Sequence, residues 1–282
     1  MNPDAIVIGF GLAMYGTASV LAVFALLKPF PKARLLSTLC MVLGLLAMVS
    51  IFVEHWMQEG DAFTIGRFES LACYAFLLTL AYVFLVRRRD TKLLAGLLAP
   101  LITIVLLLGG PMFVSEGDVS SHAHKLWVSV HVGSALVSYA LFSLAAVVAV
   151  AYLVQDNNLK KKRLDGLFAR LPSLETLDGL LAWQVGIAFA ALTLSILIGG
   201  LLVRLSGGGE EWITDSKIIA TSVAWAVYAV LVHLRASLGR RGRSLAVICV
   251  IGAVCMLFAF VGVKFFADSL HLGVSLAEEA QP

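Results

Sequence analysis

Charge is what this sequence is short of. Only 14% of its 282 residues are Asp, Glu, Lys or Arg, against 60% hydrophobic, where an ordinary soluble domain carries about 25% charged residues. The mean hydropathy of +0.94 agrees, and a soluble globular chain is excluded. Cysteine is sparse as well. Cys40, Cys73, Cys249 and Cys255 all sit inside apolar runs, and none forms a Cys-x-x-Cys pair. Thiols in such places behave as small hydrophobes, which argues against thiol redox chemistry. A Walker loop, a Rossmann glycine signature, a zinc-ligand spacing and a Ser-His-Asp pattern are all missing. No segment between the apolar runs is long enough for a soluble domain of useful size.

The apolar runs themselves number eight, at residues 5–27, 35–53, 70–86, 93–113, 126–155, 179–203, 218–234 and 244–263. Runs of roughly 17–25 nearly uncharged residues are what a bilayer asks of a helix. The expected fold is therefore all-α, a single integral membrane domain over 1–282 built as a bundle of eight transmembrane helices. The fifth run is long enough to tilt or to project beyond the bilayer. The first does not read as a cleavable signal, because Asn2-Pro3-Asp4 lacks a basic n-region and no cleavage pattern follows.

Lys and Arg set the orientation. The loops after runs 1, 3, 5 and 7 hold sixteen of the 21 basic residues, among them Arg87-Arg88-Arg89, Lys160-Lys161-Lys162-Arg163 and Arg240-Arg241. Arg67, Lys125, Arg204, Lys217 and Lys264 make up the other side. Both termini are thus expected outside, in a multi-pass protein of the bacterial inner membrane. On this topology five of the six histidines (His55, His122, His124, His131 and His271) collect at the outer face with Trp56, Trp127 and Trp212. His233 alone faces the cytoplasm.

The chain is organised around the stretch from Ser206 to Arg235, in which Gly207-Gly208-Gly209 leads through Glu210-Glu211-Trp212 into the seventh run. Each chemically suggestive residue has a plain structural reading beside it. His131 lies about a turn into the fifth run, and a histidine at membrane depth is costly enough to suggest function; it can equally hydrogen-bond a neighbouring helix. With His271 it offers two neutral imidazoles on one side of the bilayer, good ligands for iron. His122-Ala123-His124 is a weaker chelating pattern in an exposed loop. Trp212 can be an interfacial anchor. Asp215 and Glu69 can cap helices, and His233 suits a helix C-terminus. Gly109-Gly110 and Gly199-Gly200 suit close helix contact. For any imidazole ligand the second ring nitrogen wants a partner, with Asp268, Asp215 or loop carbonyls as candidates. A transporter would call for internal repeats and broken helices; Pro100 and Pro111 in the fourth run are the only hint of the latter, and no repeat is visible.

Several stretches together resemble the membrane-embedded cytochrome c assembly family of CcsA- and CcmC-type haem-handling proteins. Phe68-Glu69-Ser70-Leu71 is similar to that family's Tyr-Glu-Ser-Leu helix opening. Trp127 to Tyr139 resembles its helix with the first external histidine, and Leu171 to Asp178 its cytoplasmic lead-in to the next helix. Trp225-Ala226-Val227-Tyr228 and His233-Leu234-Arg235 resemble the helix after its tryptophan-rich loop, and His271 falls where a second external histidine is expected. The match covers roughly 66–275. The family loop Trp-x-Trp-Asp-Pro-Lys-Glu appears here as Trp212-Ile213-Thr214-Asp215-Ser216-Lys217-Ile218, without the second Trp, the Pro and the Glu. That loop and the short chain look like the eight-helix HemX/YpjD-type branch.

The resemblance implies that His131 and His271 are axial ligands to non-covalent haem b, and that Trp212 and Asp215 form a platform at the porphyrin edge. His233 matches an inner-side ligand position of the longer, haem-exporting members. It also implies a carrier without turnover that acts in cytochrome c biogenesis. Its partners would be the lipid bilayer, haem, and other maturation components or apocytochrome c, with no nucleic acid. The alternative it implies is a HemX-like membrane regulator or scaffold that controls a tetrapyrrole-synthesis enzyme without delivering haem. The charge asymmetry makes its own prediction. Reporter fusions after Arg89, Arg163 and Arg241 should read cytoplasmic, and those after Asp118, Gly208 and the C-terminus external; an external reading at Arg163 would refute the orientation.

Overall fold

In a bilayer a backbone amide finds no water, so a spanning segment must satisfy its own hydrogen bonds and folds as a helix. The computed structural model describes residues 3–27, 31–59, 67–87, 92–113, 125–162, 171–205 and 213–263. Among them it contains eight α-helices and no strand: α1 Pro3–Leu27, α2 Pro31–Glu59, α3 Arg67–Arg87, α4 Lys92–Phe113, α5 Lys125–Lys160, α6 Leu174–Leu205, α7 Ser216–Ala236 and α8 Arg243–Leu257. The all-helical, polytopic architecture read from the apolar runs is thus present. Seven helices are long and apolar enough to cross a membrane, and α4 runs for 22 residues, about 33 Å at helical rise.

Two features exceed the expectation. Helix α5 is 36 residues long, about 54 Å, and passes well beyond its apolar run. Helix α8 is not regular to position 263. It gives way at Phe258–Gly262 to a turn of π-helix, the wider turn that inserts one extra residue. That turn points Phe260 at Tyr74 of α3 and Tyr139 of α5, with ring centroids 5.5 and 5.1 Å away.

Helices α5 to α8 form a ring in chain order, with α8 packed back against α5; α3 and α4 lean on α5, and α1 and α2 lie outside them. Lipid gives apolar faces little reason to prefer one another, so close packing and buried hydroxyls specify the contacts. Tyr15 on α1 reaches Thr79 on α3 at 2.9 Å, and Ser19 on α1 reaches Thr103 on α4 at 2.6 Å. Ser37 on α2 donates to the Ala18 carbonyl at 2.8 Å and sits 2.7 Å from the Tyr82 hydroxyl of α3. Tyr74 bonds Ser143 of α5 at 2.8 Å, which ties the first four helices to the second four. Within the ring the Phe142 and Tyr228 rings stack at 3.5 Å.

The basic end is closed by ion pairs. Arg235 of α7 grips Asp178 of α6 with both guanidinium nitrogens, at 3.2 and 2.9 Å. The Gly242 amide donates to the same carboxylate at 3.3 Å. Gly242 has φ of +92°, and a Cβ there would stand 3.3 Å from the Tyr152 hydroxyl, so glycine suits both the left-handed turn and the close approach. Asp156 of α5 takes Lys160 and Arg243, both at 2.8 Å. Those two cations are 61% and 54% exposed, and solvent screening leaves such pairs worth little. The Asp178–Arg235 pair is only 13% and 21% exposed, bidentate and charge-assisted, so it dominates. We predict that Asp178→Ala lowers the stability of the detergent-solubilised protein by about 1–3 kcal/mol, read as a fall in Tm. Asp156→Ala should shift it much less, whereas Arg235→Lys should itself lower Tm because the two-pronged geometry is lost.

Candidate functional site

The site is built where α5 begins, at the end opposite those ion pairs. His131 lies on the second turn of α5 and faces α6. Its Nδ1 is 2.7 Å from the main-chain oxygen of Ser195 and 3.2 Å from the Ser195 hydroxyl. A carbonyl only accepts, so Nδ1 carries the proton and donates. Nε2 then keeps its lone pair. No described residue forms a hydrogen bond with Nε2, and an imidazole presenting that nitrogen is a metal-ligand form. The Ser195 hydroxyl makes a return bond to the His131 carbonyl at 3.0 Å, so the two residues clasp one another across the helix pair.

One turn further along α6 stands Gly199. A Cβ there would lie 2.7 Å from Cε1 and 3.0 Å from Nδ1 of His131, so the ring occupies the place of the missing side chain. The Gly199-Gly200 pair was read as a place of close helix contact, and at Gly199 the closely packed group is an imidazole. Helix α7 begins at this same end of the bundle, where α6 finishes. Asp215 is 3% exposed. It caps α7, accepting from the Lys217 and Ile218 amides at 2.8 and 3.3 Å. Deeper along α7, Trp225 donates from Nε1 to Thr193 at 3.0 Å and stacks on Phe189, which holds α6 and α7 in register behind the site.

The structure therefore brings His131 and the Asp215 end of α7 together at one end of the bundle. His233 is elsewhere. It is exposed near the far end of α7, at the end of the ion pairs, with Nδ1 3.3 Å from the hydroxyl of Ser237, the residue that caps that helix. His271, Trp212, His122, His124 and Asp268 lie outside the described residues. Among the described residues no three His, Cys, Asp or Glu side chains group as a metal site. The partner of Nδ1 is neither Asp215, which is engaged in capping, nor a loop carbonyl, but a carbonyl in mid-helix. Ser195 and Gly199 carried no signal as partners of His131. Their i, i+4 spacing on one helix face was visible, but their facing this histidine depends on the α5–α6 register.

Helices α5 and α8 run antiparallel side by side, pinned by Arg243 with Asp156 at one end and by Phe260 against Tyr139 at the other. Phe260 therefore lies about two turns, roughly 12 Å, along α5 from the level of His131. A chain segment of eight residues, the distance in sequence from Val263 to His271, spans at most about 26 Å.

Comparison with known proteins fits this arrangement. The family model described as Cytochrome C assembly protein matches residues 36–271, taking in α2 as well as α3 to α8. Curated relatives named cytochrome c biogenesis protein CcsA are similar over most of their length. The protein from Synechococcus sp. (strain CC9902) is 25% identical, over 80% of this chain and 82% of its own. The one from Porphyra purpurea is 23% identical over 92% and 94%, and that from Chlamydomonas reinhardtii 25% identical over 91% and 73%. No solved structure gives a significant match. With most of its length inside the family model and its histidine-bearing helix in place, this multi-pass membrane chain belongs to the cytochrome c assembly protein family.

Proposed function

We propose that this protein binds haem at the outer face of a bacterial inner membrane and handles it during cytochrome c biogenesis. Both termini lie on that face. His131 and His271 supply the axial imidazoles, and Trp212 lies against the porphyrin edge. One observation carries the reading: at membrane depth His131 is held through Nδ1 and left with an unprotonated Nε2, the donor a haem iron accepts. The reach from the end of α8 to His131 supports His271 as its counterpart.

Haem b, held non-covalently, is then the cargo, and its iron supplies the centre that accepts the two imidazoles. The protein's own part is to position ligands, exclude water and release the group to an apocytochrome c, with no turnover of its own. The names of the CcsA relatives support the cytochrome c assignment. Asp215 contributes through the helix it caps: it orients the first turn of α7, and with it the lead-in that carries Trp212.

Two outcomes test this. Purified in detergent, the His131→Ala and His271→Ala proteins should each lose bound haem by about tenfold or more, since even outlying partners of a ligand cost that much. Added imidazole should restore the visible spectrum, and His122→Ala with His124→Ala should leave it intact. Wild-type haem content in the His131→Ala, His271→Ala double variant would overturn the assignment. At α7, Asp215→Ala should cost about 1 kcal/mol of stability and weaken haem retention with it. Asp215→Asn and Asp215→Ser keep a capping oxygen and should preserve both; loss of haem in Asp215→Asn at full stability would instead mean that the carboxylate touches the cargo.

A further inference from the structure

The clasp between α5 and α6 allows a more specific statement about how His131 is aimed. The Ser195 oxygen lies in the interior of α6, where helix geometry already gives it the amide of residue 199, four positions on. A carbonyl has two lone pairs, so a second donor can approach from the side. In an ordinary helix the Cβ of residue i+4 stands in that approach. Here residue 199 is glycine, and the imidazole lies where the Cβ would be, 2.7 Å from Cε1 and 3.0 Å from Nδ1. The ring therefore reaches the main chain through a notch one residue wide.

We infer that the main-chain carbonyl of Ser195, laid open by Gly199, is the positioning group that sets the tautomer and direction of His131, so that Nε2 is the ligand atom. Two groups of Ser195 approach Nδ1, and they differ in what they fix. The carbonyl, at 2.7 Å, can only accept and so dictates a proton on Nδ1. The hydroxyl, at 3.2 Å, can take either role, and its own proton goes to the His131 carbonyl at 3.0 Å. The shorter, one-way contact decides. Gly199 and Ser195 act through His131 and need not touch the cargo. A free neutral imidazole in water favours the Nε2–H form, so the helix selects the less common tautomer.

The inference rests on the haem reading only for its use, and is tested without haem. In haem-free protein labelled with ¹⁵N-histidine, the His131 resonances, identified by their absence in His131→Gln, should show a protonated Nδ1 and an unprotonated Nε2. Ser195→Ala keeps the carbonyl and should leave that pattern unchanged. Gly199→Ala forces the ring out of the notch. It should abolish the pattern and lower haem retention by about 10- to 100-fold, the usual range for losing a ligand's partner. Gly186→Ala, on the same helix with nothing within 4 Å of the added Cβ, controls for helix propensity, because alanine by itself favours a helix over glycine. A protonated Nε2 in the wild-type protein overturns the inference, as does loss of the pattern in Ser195→Ala. So does an unaltered pattern in Gly199→Ala. If the pattern is as expected while haem retention ignores His131, the haem reading fails and the positioning device stands. Should Gly199→Ala not fold, the wild-type and Ser195→Ala spectra still decide.

Discussion

Hydrocarbon offers no hydrogen bonds, and that lack governs this molecule from end to end. A polar group that enters the bilayer gains by finding its partner in the protein, and where one does so it fixes a contact. The buried hydroxyls of Tyr15, Ser19, Ser37 and Tyr74 each join two helices, and together they specify a packing that apolar surfaces alone leave loose. The same rule applied to an imidazole produces the clasp between α5 and α6. The ring had to be satisfied at one nitrogen, and satisfying it there determines what the other nitrogen can do.

The two ends of the bundle solve different problems. At the basic end, charges meet water, and only the most enclosed and best-oriented pair, Asp178 with Arg235, contributes much. At the opposite end the geometry around His131 comes from main-chain atoms: the carbonyl of Ser195 and the capped amides of α7. A corner made this way is stiff, which suits the mostly apolar cargo proposed for it.

Much of this was legible beforehand. Eight apolar runs of bilayer length became eight helices, because length and hydropathy are demands of the lipid and do not depend on packing. His131 stood out because a histidine inside an apolar run needs a reason. The capping role of Asp215 followed from its place before the seventh run. The partner of His131 was hidden for an equally physical reason. Side-chain chemistry advertises itself in a sequence, whereas every residue has a carbonyl, and which one is uncovered depends on the register between two helices and on a side chain that is missing. The π-turn in α8 was hidden too, since Phe258 to Gly262 is as apolar as its neighbours and the extra residue answers to the aromatic cluster of Tyr74 and Tyr139. The length of α5 was understated because its last turns are polar and lie beyond the reach of any hydropathy argument.

That length has a mechanical meaning. His131 and Asp156 sit on one helix with no proline between them, about 38 Å apart at helical rise, so α5 is a lever with the imidazole at one tip and the basic loops at the other. A tilt of about 5° applied at the basic tip moves the other by about 3 Å, whereas a ligand must hold its place to within about 0.5 Å. Any body that leans on the basic loops therefore has a handle on the far side of the membrane, and a small one is enough.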